Sequence, residues 1–295
     1  NGDNSSHVVL ADGTTGTPIT KTTVLDGFTI TGGQADGGIS TDYSGGGFYC
    51  FGGGSGNECS PRLRNVTFSG NSASDSGGAM RNSGSTYGNS SPSLIDVKFL
   101  GNSAGNYGGA MTNSGSEYGN SNPYLRNVTF SGNHAGSGAG AMYNGGWSGT
   151  SNPRLINVAF SGNSAGNQGG AMYNYADDQG NSNPKLINVT FSGNSADIAG
   201  GGGMYSVGGN STLTNVSFSN NLADAGGGMY NISGSLTLTN VTFSDNTADI
   251  GGGMYNISGS PTLASVTYSG NRAYRTGGGM YNEDGTPTLR DVIFS

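Results

Sequence analysis

The side chains able to do chemistry in this chain come in columns. Asp197, Asp224 and Asp249 each follow an alanine and recur at steps of 27 and 25 residues. Carboxylates stacked at one position of a repeat repel each other, and a Ca²⁺ ion, which takes oxygen ligands, would relieve that repulsion. The competing expectation is three solvated turn residues, and no other cofactor is expected. Tyr143, Tyr173, Tyr205, Tyr230, Tyr255 and Tyr281 each directly follow a methionine. If the methionines point inward, the tyrosines form an outward aromatic strip suited to stacking on sugar rings or on a protein face. The plainer reading is that tyrosine pairs well with its neighbours on a pleated sheet. Cys50 and Cys59 are the two cysteines, close together in one loop, and suit a disulfide formed in an oxidising compartment.

All eight methionines (80, 111, 142, 172, 204, 229, 254 and 280) follow small residues, as in Gly251-Gly252-Gly253-Met254-Tyr255-Asn256. Phe48 holds the same slot one repeat earlier. Steps of 25 to 32 residues between them mark a solenoid. A second slot holds Ile30, then Phe68, Phe99, Phe130, Phe160, Phe191, Phe218, Phe243, Tyr268 and Phe294, with an alanine five residues on in most repeats. In Val241-Thr242-Phe243 apolar residues alternate with a polar one, the period of a strand. Units this short, with no helical pattern, bury an apolar face only by stacking on copies of themselves.

The expectation is therefore an all-β fold, a single right-handed parallel β-helix of about nine to ten coils with three short strands each. The handedness follows the rule for parallel crossovers. Residues 1–24 read as a lead-in partial coil and 25–295 as repeats, with long loops over 25–187 and short ones over 188–295. Glycine pairs before the methionine slot provide the corner. Asn71, Asn102, Asn133, Asn163, Asn194, Asn221, Asn246 and Asn271 lie three residues after the core aromatic and are expected to form an amide ladder. The sequons, such as Asn65-Val66-Thr67, fall inside the strand pattern and read as structural.

Phe68-Ser69-Gly70-Asn71 followed by Gly77-Gly78-Ala79-Met80 resembles the paired FxxN and GGA[I/L/V] repeats of chlamydial polymorphic outer-membrane proteins. More broadly, the pattern resembles bacterial β-helix proteins of the secreted, surface-anchored kind, and it covers nearly all of the chain from Leu25. The resemblance implies an autotransporter-type passenger concerned with adhesion at a cell surface. Methionine stands where that family carries Ile, Leu or Val, and no membrane barrel is visible, so the secretion route does not carry over.

From the methionine slot (Phe48 in the first coil) to the next leucine is 13 to 15 residues in the first five coils and 9 in the last four. The extra residues are rich in Ser, Gly and Asn and carry Tyr87, Tyr118, Trp147 and Tyr175. That composition suits adaptable recognition, and loops aligned on one edge of a solenoid form a natural binding ridge. Partners expected on these grounds are a glycan or a surface protein. Nucleic acid is not expected from a chain with 10% charged residues and a net charge of −7, nor is a membrane span.

Catalysis needs converging acids and bases. Asp177, Asp178 and Glu117 share the ridge but lie two coils apart, with Arg154 and Lys185 as nearby bases. His7 and His134 fall in different coils. The expectation is a non-enzymatic structural or adhesive protein; the alternative is a polysaccharide lyase or glycosidase on a pectate-lyase-like β-helix. Unbroken threonine rows, as an ice-binding face would need, are limited to Thr212/Thr214 and Thr237/Thr239. The chain stops just after an aromatic slot and starts like a turn into a methionine strand, which gives a further expectation: end-to-end self-association into a fibre.

Overall fold

In a computed structural model that describes residues 6–37 and 40–295, the chain winds into a parallel β-helix. One ten-stranded sheet carries the methionine strands, from Val9–Asp12 and Phe48–Phe51 through Met80–Gly84 to Met280–Glu283. A fourteen-stranded sheet carries the leucine and phenylalanine segments. A six-stranded sheet of two-residue strands runs from Gln34–Ala35 to Ser195–Ala196, and Thr247–Ile250 pairs with Arg272–Thr276 beyond it. Every strand pairing is parallel, and like residues lie on like: Met142 on Met172, Leu155 on Leu186, Phe160 on Phe191, Ala165 on Ala196.

The core follows from that register. Seven of the methionines, Met80 to Met254, are fully buried, as are the phenylalanines from Phe68 to Phe243. Those rings stack at 4.7–4.8 Å with interplanar angles of 3–6°, which is the strand spacing itself. Leucine and phenylalanine segments merge in most coils into one eight-residue strand, such as Arg154–Ser161. Leu155 and Val158 are three residues apart, so strict alternation would place them on opposite faces. Asn157, at φ 54°, takes the left-handed conformation between them and returns Val158 to the inside. Asn65, Asn127, Asn188, Asn215 and Asn240 do the same, a role that asparagine tolerates better than most residues.

The expected amide ladder is present. Asn163 Nδ2 donates to Asn194 Oδ1 (2.9 Å) and to the Phe130 carbonyl (3.1 Å), while its backbone N–H donates to the same Asn194 Oδ1 (3.0 Å). The pattern runs from Asn71 to Asn271. The corner before each methionine needs glycine for two reasons. Gly108 has φ 64°, and a Cβ on its neighbour Gly109 would sit 2.2 Å from the His134 carbonyl oxygen. In one coil Ala139 occupies the left-handed position at φ 58°.

Cys50 and Cys59 form the expected disulfide, buried within the core. Among the described residues no helix is long and apolar enough to cross a membrane.

Candidate functional site

The long loops of the first five coils lie over one another on a single edge. At their base the bridges Glu58–Asn89–Asn120–Thr150–Asn181 continue the parallel pairing outside the named strands. Inward serines tie that base to the methionine sheet: Ser90 Oγ donates to the Cys50 carbonyl (2.9 Å), Ser151 Oγ to that of Asn113 (3.1 Å), and Ser182 Oγ to that of Asn144 (3.0 Å). The ridge is thus fastened to the coil stack through buried hydrogen bonds, which stabilises a loop position that sequence composition alone reads as adaptable.

Two tips have identical geometry. Thr86 and Tyr87 have φ 50° and 65°, Glu117 and Tyr118 have 49° and 64°. Gly88 N–H closes on the Ser85 carbonyl (2.9 Å) and Gly119 N–H on that of Ser116 (2.8 Å). Positive φ at both central residues defines the type I′ turn, usually the domain of Asn and Gly. A β-branched Thr86 and a bulky Tyr87 held there represent local strain. The tips bond to the coil above, Tyr87 N–H to the Glu117 carbonyl (3.1 Å) and Tyr118 N–H to that of Ser148 (2.7 Å). Thr86 Oγ1 donates to Glu117 Oε2 (2.7 Å).

These turns hold Tyr87 and Tyr118 ring on ring, 5.3 Å apart and 14° from parallel, at 62% and 60% exposure. One coil further on, Trp147 packs on Tyr175 at 4.3 Å and is 46% exposed. The four ridge aromatics therefore meet as two pairs. Beside the second pair a cleft of about 210 Å³ is lined by Arg81, Tyr107, Thr112, Tyr143 and Trp147 among others.

The tyrosines after the methionines do line up, but they do not form a flat face. From Tyr143 to Tyr230 the rings meet edge to face at 4.9–5.2 Å, with interplanar angles of 85–89°. Tyr230 and Tyr255 stack at 8°, and Tyr281 is again tilted. Tyr143, Tyr205 and Tyr255 are buried, the other three half-buried. Tyr107 joins the column beside Thr112, packing on Tyr143 at 4.9 Å. Burial pushes the Tyr205 phenol up to about 12, with Tyr230 adding to it. Burial likewise raises Tyr143, Tyr173 and Tyr230. Tyr255 is raised by burial and then by its hydrogen bond to Glu283. Those five phenols stay protonated at neutral pH, and the rings of the strip interlock.

Asp197, Asp224 and Asp249 occupy equivalent positions in successive coils, and all three are exposed. Among the described residues no group of three or more His, Cys, Asp or Glu side chains is placed to hold a metal ion.

Of the residues weighed for acid–base work, Asp177 accepts from the backbone N–H groups of Ser148 (3.0 Å) and Gln179 (3.1 Å), which engages it in holding the ridge turn. The exposed His134, on a two-residue strand, has its Nδ1 3.0 Å from Ser164 Oγ, and His7 Nδ1 is 3.0 Å from the Gly45 carbonyl oxygen. At the two ends of the stack Leu10, Val24 and Phe28, and Leu289, Ile293 and Phe294, are 44–59% exposed.

Two further amide ladders run along the stack. An exposed one links Asn127, Asn157, Asn188, Asn215 and Asn240 along the left-handed positions. An inner one links Asn82, Asn113, Asn144 and Asn174, and then Asn231, Asn256 and Asn282. Its signal was the recurring Met-X-Asn. Arg62, near the ridge base, has no repeat signal in the sequence, and its Nε is buried without a hydrogen-bond acceptor.

Residues 65–79 match the family model described as the Chlamydia polymorphic membrane protein repeat. The matched stretch spans Phe68 of the ring stack, Asn71 of the amide ladder and the Gly77-Gly78-Ala79 corner, so the similarity lies in the parts that wind the coil. A comparison with curated proteins finds no match.

Proposed function

We propose, from a chain that carries a repeat of this surface-protein kind within a parallel β-helix, that it is a non-enzymatic extracellular adhesive stalk. Its ridge binds a glycan or a surface protein through Tyr87, Tyr118, Trp147 and Tyr175. The observation carrying this reading is the exposed Tyr87–Tyr118 stack, held on two strained turns. Large rigid rings kept in water have a desolvation gain to offer a partner, and turns already bonded to the coil above lose little entropy on binding. The buried disulfide supports an oxidising location.

A glycan array probed with the native chain and with a Tyr118→Ala/Trp147→Ala variant tests the reading. Binding that is lost in the variant is the expected result; equal binding, or none, removes the ridge, and turnover of a bound polysaccharide by the native chain favours an enzyme instead.

A further inference from the structure

At the corner where the loop ridge meets the leucine/phenylalanine sheet lies a groove of about 330 Å³. Lys21, Glu58, Arg62, Asn89, Asn122 and Tyr124 line it, with serines between them. Its amides are already oriented: Asn89 Nδ2 donates to Ser60 Oγ (3.2 Å) and to Glu58 Oε1 (3.3 Å), and Ser91 Oγ donates to Asn89 Oδ1 (2.6 Å). Arg62 is different. Its Nε is buried with no acceptor, and among the described residues neither Arg62 nor Lys21 makes an ion pair. A buried N–H of a charged group left unmatched is costly, and a guanidinium fork fits a carboxylate in particular.

The groove opens onto a column that carries two further cations. Arg62, Ser93, Tyr124, Arg154 and Lys185 are register partners in five successive coils. Of the eleven Lys and Arg residues in the chain, six stand on strands of this sheet in these coils: Arg62, Arg64, Lys98, Arg126, Arg154 and Lys185. All but Arg62 are exposed. The facing carboxylates are Glu58 in the groove, Asp26, which pairs with Arg64 at 3.6 Å, and Asp96, which accepts from Asn127. On a chain of net charge −7 this is a segregated basic stripe parallel to the axis.

We propose that this groove and stripe bind a linear polysaccharide bearing carboxylate groups, laid along the coil axis. Arg62 takes one carboxylate, the Tyr124 ring meets a sugar face, and Arg154 and Lys185 meet the charges further along. Glu58, Asn89 and Asn122 serve hydroxyl groups. The hydroxyl partners suit a sugar chain and the guanidinium fork suits its carboxylate; Glu58 opposes any polyanion, so the DNA titration below separates a sugar acid from a phosphate polymer. At about 4.8 Å per coil, Arg154 lies three coils, about 14 Å, from Arg62, and Lys185 one coil beyond it, so an extended polymer reaches all three. The site is separate from the ridge tips and stands or falls independently of them.

Affinity electrophoresis of the full chain through gels containing polygalacturonate, dextran or no polymer tests this, with a DNA oligonucleotide titrated in parallel. The expected result is retardation by polygalacturonate alone, strong at about 10 mM salt and weaker at about 150 mM. R62Q is expected to weaken it about tenfold, and R154Q/K185Q to weaken it with the fold unchanged by circular dichroism. Y274A, at an exposed ring on the distant strand Arg272–Thr276, is expected to leave it as it is, and loss of retardation there would count against a site in this groove. The proposal is overturned by the absence of retardation, by equal retardation in dextran, by DNA binding of similar strength, or by full binding in R154Q/K185Q. That exposed double variant decides the matter should R62Q fail to fold.

Discussion

Asn174 and Ser206 face each other across one coil step in the methionine sheet, and no hydrogen bond joins them. Asn174 Nδ2 is left without an acceptor, Ser206 Oγ is unmatched, and Asn231 Oδ1 in the next coil lacks a donor. Elsewhere in this ladder each amide donates to the next at 2.6–2.8 Å. Serine is too short to span the step, and the break leaves buried polar atoms on both sides.

Ser206→Asn is therefore expected to stabilise the protein. Ser206-Val207-Gly208-Gly209 aligns with Asn231-Ile232-Ser233-Gly234, where Asn231 Nδ2 also donates to the Gly234 carbonyl (2.8 Å). Restoring two ladder bonds is worth about 1–2 kcal/mol. A urea midpoint that falls rather than rises would show that the slot cannot accept an amide.

The two asparagine ladders with opposite burial should respond differently. Asn163→Ala removes the partner of a buried N–H, an amide and a carbonyl, at an expected cost of about 2–4 kcal/mol. Asn157→Gly keeps the left-handed φ of 54° in the exposed ladder and is expected to shift stability by less than about 1 kcal/mol. Equal losses in chemical denaturation would contradict the inner ladder's larger role.

Ala139 is the alanine that takes the corner conformation its equivalents fill with glycine. Ala139→Gly relieves a left-handed strain of about 1–2 kcal/mol, less the entropy of the freer unfolded chain. A net rise of about 0.5–1 kcal/mol in denaturation is expected, and a fall would mean that the methyl group packs usefully.

Tyr268 continues the phenylalanine stack with its hydroxyl fully enclosed, facing only the sulfurs of Met254 (3.6 Å) and Met280 (3.9 Å). Thioethers are weak acceptors, so Tyr268→Phe is expected to be neutral or stabilising by up to about 1 kcal/mol. Burial raises this phenol far above its ordinary range, and raises Tyr205 to about 12 from 10.0. A raised folded-state value means stability held below the unfolded value and lost above it. Stability should stay level up to pH about 10 on this account and fall between about 10 and 12. Tyrosinate absorbance should rise together with loss of the strand circular dichroism signal; ionisation of these phenols well before unfolding would refute it.

Both sulfurs of the Cys50–Cys59 bridge are fully buried, so reductant alone should leave it intact and reductant with denaturant should open it. Cys50→Ala/Cys59→Ala is expected to cost about 2–3 kcal/mol and to expose the 50–59 loop to protease before the later coils. Cleavage distributed evenly along the chain would contradict a local role.

The columns were legible in the sequence because a parallel stack repeats one position at every coil: the methionines, phenylalanines, leucines and the Asn71 ladder each announce their partners by spacing alone. The disulfide was legible for the same reason of proximity. What lay beyond reach was direction within the coil. A left-handed residue at Asn157 shifts the inside–outside alternation by one, and no local pattern reveals it until φ is known. Ring orientation in the tyrosine column depends on contacts between side chains some 30 residues apart, so interlocking rather than a flat face emerged only from packing. The meeting of Tyr87 with Tyr118, and of Arg62 with a groove that gives its Nε no acceptor, was decided by how one coil's loop lies against the next. Spacing determines which residues share a column; tertiary structure decides which way each one faces and what it leaves unmatched.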